Sequence, residues 1–514
     1  MPDPHHDPDA PNPLVAAVGH HLHLDDPAPG DPGSSDLGGP PQQGGRSKDP
    51  GSGGLRFLAW LVLIVAVGYT VWIQWLGPPP PVAVQTEMTP PGGLMKLAGR
   101  YAVGSFDLLE GMDPSFEGEK RDEMAAGLID QLDGFAGTPE DRLRVMIVQG
   151  EISGPSFDPA MLADLELELT LMDEPPAYAE QLFADIATVR GLLSDPPLAP
   201  ADPDAFRERH AWFGDLALAQ GLEDESPARA PVLAKARRTT LTALTAVGGF
   251  VVVAILGFIL GIVAIILVAT GKITAAYRPP APGGSVYLEI FALFILGFLG
   301  VSFASEALFN ATGADYSRVL MWLLLLLPFW ALIRGARAPD FRQAMGWHLG
   351  KGLFREIGSG IVGYVACLPI FLLGVGLTLL LVLLSGLISG TGEGGGGGAP
   401  THPIIDRVNP NDLFSVLGVF AIAAVWAPLV EESMFRGAFY HHMRGRLHPI
   451  LAALFVAFVF AAIHPQGWVA IPALMSLAVT FALLREWRGS LVAPVVAHAM
   501  HNGALMTGLV LALR

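Results

Sequence analysis

Charge is scarce in this chain. Only 15% of its 514 residues are Asp, Glu, Lys or Arg, against 51% hydrophobic, and the mean hydropathy is positive at +0.46. A water-soluble enzyme of this length rarely has such a composition, which points instead to many membrane spans. Cysteine is all but absent. Cys367 stands alone, so an intramolecular disulfide is excluded, and its place in an apolar run reads as that of a small buried side chain. Basic residues are in deficit as well: 31 Lys and Arg face 48 Asp and Glu, a formal net charge of -17. Binding to nucleic acid needs a basic face, so nucleic acid is not an expected partner. Finally, the chain contains neither His-Glu-x-x-His nor Gly-x-Ser-x-Gly, which removes the main support for zincin, site-2 and serine hydrolase readings.

What is present divides the chain into segments. Residues 1–54 are rich in Pro, Gly, Asp and His with few large apolar side chains, too few to offset the entropy of ordering, so a disordered tail is expected. Its His5-His6 and His20-His21-His23 groups read as solvated. An apolar run from Leu55 to Leu76 has spanning length and is preceded by Arg46, Lys48 and Arg56, as expected of an uncleaved anchor over 55–77 with a cytoplasmic N-terminus. Residues 78–238 hold most of the acidic side chains and helical patterns such as 124–135, 141–149, 159–172 and 178–193. They read as an inserted, soluble helical domain, compatible with a helix-hairpin array but without a clean repeat signature.

Further spans are expected at 241–269, 286–309, 318–333, 358–388, 413–439, 449–464, 468–484 and 490–512, about nine with the anchor. The first of these belong to a membrane segment 239–349 and the rest to a bundle 350–514. Arg334, Arg337, Arg342, Lys351 and Arg355 fill one loop, Arg444 and Arg446 another, and Arg485 and Arg488 a third. Simple alternation puts all three on one side, which the positive-inside rule makes cytoplasmic. Lys235, Arg237 and Arg238 oppose this scheme. The glycine run within 390–399 reads as a flexible connector.

Three motifs on successive apolar segments carry chemistry. In the first, Ala427-Pro428-Leu429-Val430-Glu431-Glu432-Ser433-Met434-Phe435-Arg436-Gly437 places three charges in six residues at membrane depth, where each costs about 2.5–3.5 kcal/mol on insertion scales. Pro428 should kink or restart the helix. Glu432 and Arg436, four apart with the acid first, are spaced for an ion pair, while Glu431 points about 100° away and is free to face a cavity. In the second, Phe460 and His464 are one turn apart, and in the third so are His498 and Asn502. Polar groups on three spans usually face one another across a bundle interior. A carboxylate and an imidazole shielded from water suit general-base catalysis, and an amide with an imidazole suits stabilisation of an oxyanion. The alternative for Glu432 and Arg436 is a purely structural ion pair. His441, His442 and His448 read as solvated residues at the basic end, and Glu289 and Glu306 as solvated or capping.

Glu431-Glu432-x-x-x-Arg436, Phe460-x-x-x-His464 and His498-x-x-x-Asn502, in this order, resemble the three motifs of the CPBP intramembrane proteases, a family that includes the Ras-converting CAAX prenyl endopeptidase and many bacterial relatives. The resemblance covers roughly residues 350–512. It implies an all-α, polytopic helical membrane protein with a CAAX-protease-like C-terminal bundle, and the expected location is the bacterial plasma membrane, crossed several times. It also implies that Glu431 with His464 activates water, that His498 and Asn502 stabilise the oxyanion, and that Glu432 and Arg436 order the site. If a divalent metal such as zinc is used, Glu431, His464 and His498 would be its ligands; a glutamate-dependent mechanism without metal is the alternative. The expected partners are a peptide or membrane-anchored protein substrate, the lipid bilayer, and a protein that meets the acidic domain. Prenylation of the substrate does not follow. A non-catalytic scaffold and a proton-coupled transporter are the competing readings.

Overall fold

The structure, a computed structural model, describes residues 49–75, 87–113, 118–154, 157–172, 174–194, 197–314, 316–389 and 412–513. Contacts divide the chain into Met1–Gly45 and Arg46–Arg514, and every described residue belongs to the second unit. The tail expected over 1–54 lies outside the described residues up to position 48, as does the glycine run.

The regular elements are helices: α1 (Gly53–Trp75), α2 (Gly93–Met112), α3 (Glu119–Asp133), α4 (Pro139–Ser153), α5 (Ala160–Leu171), α6 (Ala179–Leu192), α7 (Pro203–His210), α8 (Trp212–Ala219), α9 (Ala230–Ala269), α10 (Val286–Thr312), α11 (Ser317–Ile333), α12 (Ala338–Met345), α13 (Leu353–Ala366), α14 (Leu368–Ser389), α15 (Leu413–Arg444), α16 (Pro449–Ala462), α17 (Trp468–Arg488) and α18 (Val492–Leu513). Seven of them (α1, α9, α10, α14, α15, α17 and α18) are long and apolar enough to cross a membrane, and α11 and α16 are shorter apolar helices. On α9, Val247, Val252, Ile259 and Ile266 are all exposed. A helix satisfies its own backbone and can offer such a face to lipid, whereas in water the same face would be an aggregation hazard. The chain is therefore a polytopic helical membrane protein.

The span expected over 358–388 is two helices. Pro369 cannot continue the hydrogen-bond ladder, so α13 ends with Cys367, whose N–H turns back to the carbonyls of Gly363 and Tyr364, and α14 restarts at Leu368. The boundary expected at 238 falls inside α9, which runs unbroken for 40 residues. Its first turns share a core with α2–α8 through Val232, Leu233 and Ala236, and the remainder enters the apolar region. Residues 49–52, expected in the tail, are docked: Pro50 accepts from the N–H groups of Ser285 and Val286, and Asp49 accepts from Val286 N–H.

The three basic loops meet at one end. Arg485 donates to the Ala344 carbonyl, Leu491 N–H to Gly346, Arg444 to Glu486, and Arg488 to Glu356. His441 and His442, expected to be solvated, are buried here at 2% and 0% exposure. His441 Nδ1 is 2.7 Å from the Tyr277 hydroxyl. Glu289, expected to be solvated or capping, is nearly buried in the first turn of α10 and accepts from Ser285, Trp330 and Arg334. The helices α2–α8 sit at the opposite end, against the C-terminus of α18: Arg100 donates to the Leu513 carbonyl at 2.8 Å. Arg237, which counted against the simple topology, is paired with Asp107.

Within α2–α8 the pair Asp185 and His210 is almost fully buried, with His210 Nε2 3.0 Å from Asp185 Oδ2. Burial pushes the His210 imidazole below its usual 6.5. Burial also opposes ionisation of Asp185, yet its hydrogen bonds to His210 and Arg209 win and lower its carboxyl. Both groups bind protons more readily in the unfolded chain, so both contribute stability that is lost on acidification. The urea midpoint of α2–α8 in the full-length protein, read by limited proteolysis, is expected to fall as pH drops below 6.5, and to fall further once Asp185 protonates. A midpoint that holds or rises between pH 7 and 5 would contradict this.

Candidate active site

The site is built around α15. Asp412 caps its start, accepting from the N–H groups of Phe414 and Ser415, a common use of Asp at a helix N-terminus. The helix does not break at Pro428; it widens on either side, with π-helical turns at Ala421–Trp426 and Glu432–Phe439 flanking a short α segment. Such turns are rare and frequent at functional sites. Their cause here is traceable. Ala427 N–H reaches back five residues to Ile422, and the next donor in that register would be Pro428, which has no N–H. The Ala423 carbonyl is thereby freed, and Asn502 Nδ2 of α18 donates to it at 2.8 Å. In a bilayer a freed carbonyl needs a partner, and a neighbouring helix supplies it.

The second π-helical stretch turns its charges inward. Glu432 and Arg436 are both fully buried, with Nη1 donating to Oε1 at 3.0 Å. Arg436 Nη2 donates to the Ala478 carbonyl of α17 at 2.9 Å, and the guanidinium lies 5.0 Å from the Phe460 ring centroid and 5.1 Å from that of Phe481. His498 Nδ1 is 2.9 Å from the same Glu432 Oε1. A carboxylate only accepts, so Nδ1 carries the proton. The imidazole stacks on Phe481 at 4.8 Å with planes 18° apart, which directs Nε2 towards Glu431, 3.9 Å from its Oε2. The two neighbouring glutamates thus differ: the Glu432 side chain is 0% exposed and that of Glu431 18%.

His464 lies just past the end of α16. Its Nδ1 is 2.5 Å from the Phe460 carbonyl, one of the last carbonyls that the helix leaves without an internal donor. The imidazole packs on the Phe460 ring at 4.2 Å. Phe460 in turn stands edge-on to His498 at 6.5 Å and to Phe435 at 5.0 Å. Of the residues expected at the site, Glu431, Glu432, Arg436 and His498 form one cluster. Asn502 sits one turn further along α18 on the Ala423 carbonyl, and His464 adjoins through Phe460. Among the described residues no three His, Cys, Asp or Glu side chains form a group that could hold a metal ion. Glu431, His464 and His498, the expected ligands of a metal, are not grouped in that way.

Sequence reasoning missed Phe481, Ala478 and Ala423. Phe481 carried no distinguishing signal among many apolar residues, and the other two act through their backbone. Trp347, which by sequence reads as an interfacial anchor, instead donates from Nε1 to Ser433 at 3.1 Å, and the close approach of α12 at Gly437, where a Cβ would stand 2.7 Å from Met345 Cε, was not foreseen.

A helical membrane protein with a buried acid–base cluster shared by α15, α17 and α18 is the class that this fold and site define. Residues 413–504 match the model of a family described as Rce1-like, type II CAAX prenyl endopeptidase Rce1-like, which is the family that the three motifs resemble. The match runs from the start of α15 to just past Asn502, so it contains all six expected site residues. No curated protein and no solved structure matches the chain.

Replacing Asn502 by Ala leaves the Ala423 carbonyl unpaired at membrane depth, a loss of about 1–3 kcal/mol. Thermal unfolding in detergent should show it. Adding Pro428→Ala, which restores a backbone N–H, should recover part of the loss; strictly additive effects would show that Asn502 does not replace the missing donor.

Proposed function

We propose that the chain is an intramembrane endopeptidase that hydrolyses a peptide bond in a membrane-associated or C-terminal segment of a protein substrate. The family match supports a protease of the CAAX type. One observation carries the mechanism: His498 is pinned through Nδ1 to the buried Glu432 while its Nε2 faces the more exposed Glu431 across 3.9 Å. A water oxygen about 2.8 Å from both atoms would bridge that gap.

Glu431 takes a proton from this water as its oxygen bonds to the scissile carbonyl carbon. Collapse of the tetrahedral intermediate breaks the C–N bond, and Glu431 returns the proton to the leaving amine. His464 supports the base. Its Nδ1–H is held by the Phe460 carbonyl, which leaves Nε2 as the nitrogen for this role. Asn502 keeps a second amide N–H beyond the one given to Ala423, and His498, which in its doubly protonated form donates from Nε2 as well as from Nδ1, serves the developing oxyanion with it. Glu432 and Arg436 act by holding His498. No step calls for a metal.

The clustering of basic loops opposite the acidic helices supports a cytoplasmic N-terminus and basic end, with α2–α8 on the outer face. Glu431→Gln keeps the shape of the side chain and removes the base. Cleavage of membrane-anchored peptides by the purified protein in nanodiscs, followed by mass spectrometry, is expected to drop about 10²–10⁴-fold while the variant inserts normally. Undiminished proteolysis would overturn the mechanism.

A further inference from the structure

The helix that carries His498 and Asn502 is held at its far end by the acidic domain. A helix leaves its last carbonyls without internal partners. On α18 two of these are capped by side chains far away in the sequence: Arg100 Nη1 donates to Leu513 at 2.8 Å, and Thr239 Oγ1 shares its one proton between Ala512 and the Lys235 carbonyl of its own helix, both at 3.1 Å. Both donors are buried, at 8% and 2% exposure, and a guanidinium also suits the negative end of the helix dipole. The donors sit on a rigid pair. Helices α2 and α9 run antiparallel in contact, with Thr240 donating to the Tyr101 carbonyl and Arg237 gripping both carboxylate oxygens of Asp107. Gly104 allows the approach, since a Cβ there would lie 2.3 Å from the Ala236 carbonyl oxygen.

Elsewhere α18 is held sideways. Gly360 of α13 packs on the Ala493 carbonyl, the Tyr364 hydroxyl is 2.9 Å from His501 Nδ1, and Met506 and Val510 rest on Val416 and Val419 of α15. The apolar contacts among these tolerate sliding and rotation better than directional hydrogen bonds do, and the hydrogen bonds of His498, His501 and Asn502 hold α18 only near its middle. We infer that Arg100 and Thr239 are positioning residues: by clamping the end of α18 they set where His498 stands relative to Glu431 and where Asn502 stands relative to Ala423. The clamp is about 22 Å from His498 along the helix, too far for contact, and it acts through the stiffness of the helix. A displacement of about 1 Å in a reacting group can cost about 10²-fold in rate. The consequence for catalysis rests on the protease reading; the mechanical link does not.

The test uses full-length protein in nanodiscs carrying Arg100→Met with Thr239→Val, and, as a milder change that cannot unfold the domain through a lost charge, Thr239→Val alone. Two quantities are read: kcat and KM on a cleaved peptide, and hydrogen exchange across Val492–Leu513, which needs no turnover. The double variant is expected to lose about tenfold in kcat with KM within twofold. Exchange should rise through residues 498–502, Thr239→Val should show the same pattern more weakly, and Arg100→Lys should recover much of the loss. Arg142→Ala, which removes an exposed ion pair with Glu168 elsewhere in the domain, should behave as wild type. Wild-type kcat together with an exchange change confined to the last turn of α18 would overturn the inference. If the unaltered protein cleaves no peptide, the protease reading fails, and exchange at 498–502 alone decides the link.

Discussion

Two side chains that would be charged in water, Glu432 and Arg436, sit fully buried on one turn of a helix at membrane depth, and the rest of the site is arranged around them. Removing charges from water is costly, and the mutual attraction of an ion pair repays this only when further hydrogen bonds are made. Here the Ala478 carbonyl, the His498 imidazole and the Phe460 and Phe481 rings contribute. Each comes from a helix other than α15, so satisfying the pair fixes the mutual positions of α15, α16, α17 and α18. The pair is at once a structural staple and the reason His498 points where it does.

The same logic of satisfaction explains the backbone. Pro428 takes a donor out of α15, the helix widens into π-helical turns to absorb the ring, and the carbonyl left over is taken by Asn502. A residue expected to serve an oxyanion thus also repairs the helix that bears the glutamates, and its amide has donors enough for both. Polar residues in a bilayer are few because each must be partnered, so the few that exist tend to carry structural and chemical duties together.

The acidic helices α2–α8 belong to the same frame. Their core continues into α9, a single helix whose later turns are long and apolar enough to cross a membrane, and Arg100 of α2 and Thr239 of α9 cap the last helix of the bundle. An inserted domain connected by a flexible linker would leave the bundle unaffected. One that shares a 40-residue helix with it and closes on α18 is mechanically joined to the site.

The three motifs, the scarcity of charge and the apolar runs were enough to read a helical membrane protein, its basic end and the ion pair between Glu432 and Arg436. These depend on local spacing along one helix and on the cost of charge in lipid, both of which are properties of sequence. The break at Cys367, the docking of residues 49–52, the burial of His441 and His442, and the continuity of α9 were not legible, because each depends on which surface another segment covers. The division of labour within the site was legible only in part. That Glu431 and Glu432 would differ followed from their angular separation. That His498 would bridge them with Phe481 beneath it, and that Asn502 would answer to Pro428, was decided by the packing of α17 and α18 against α15, where donors and acceptors far apart in the chain have only one another to bond.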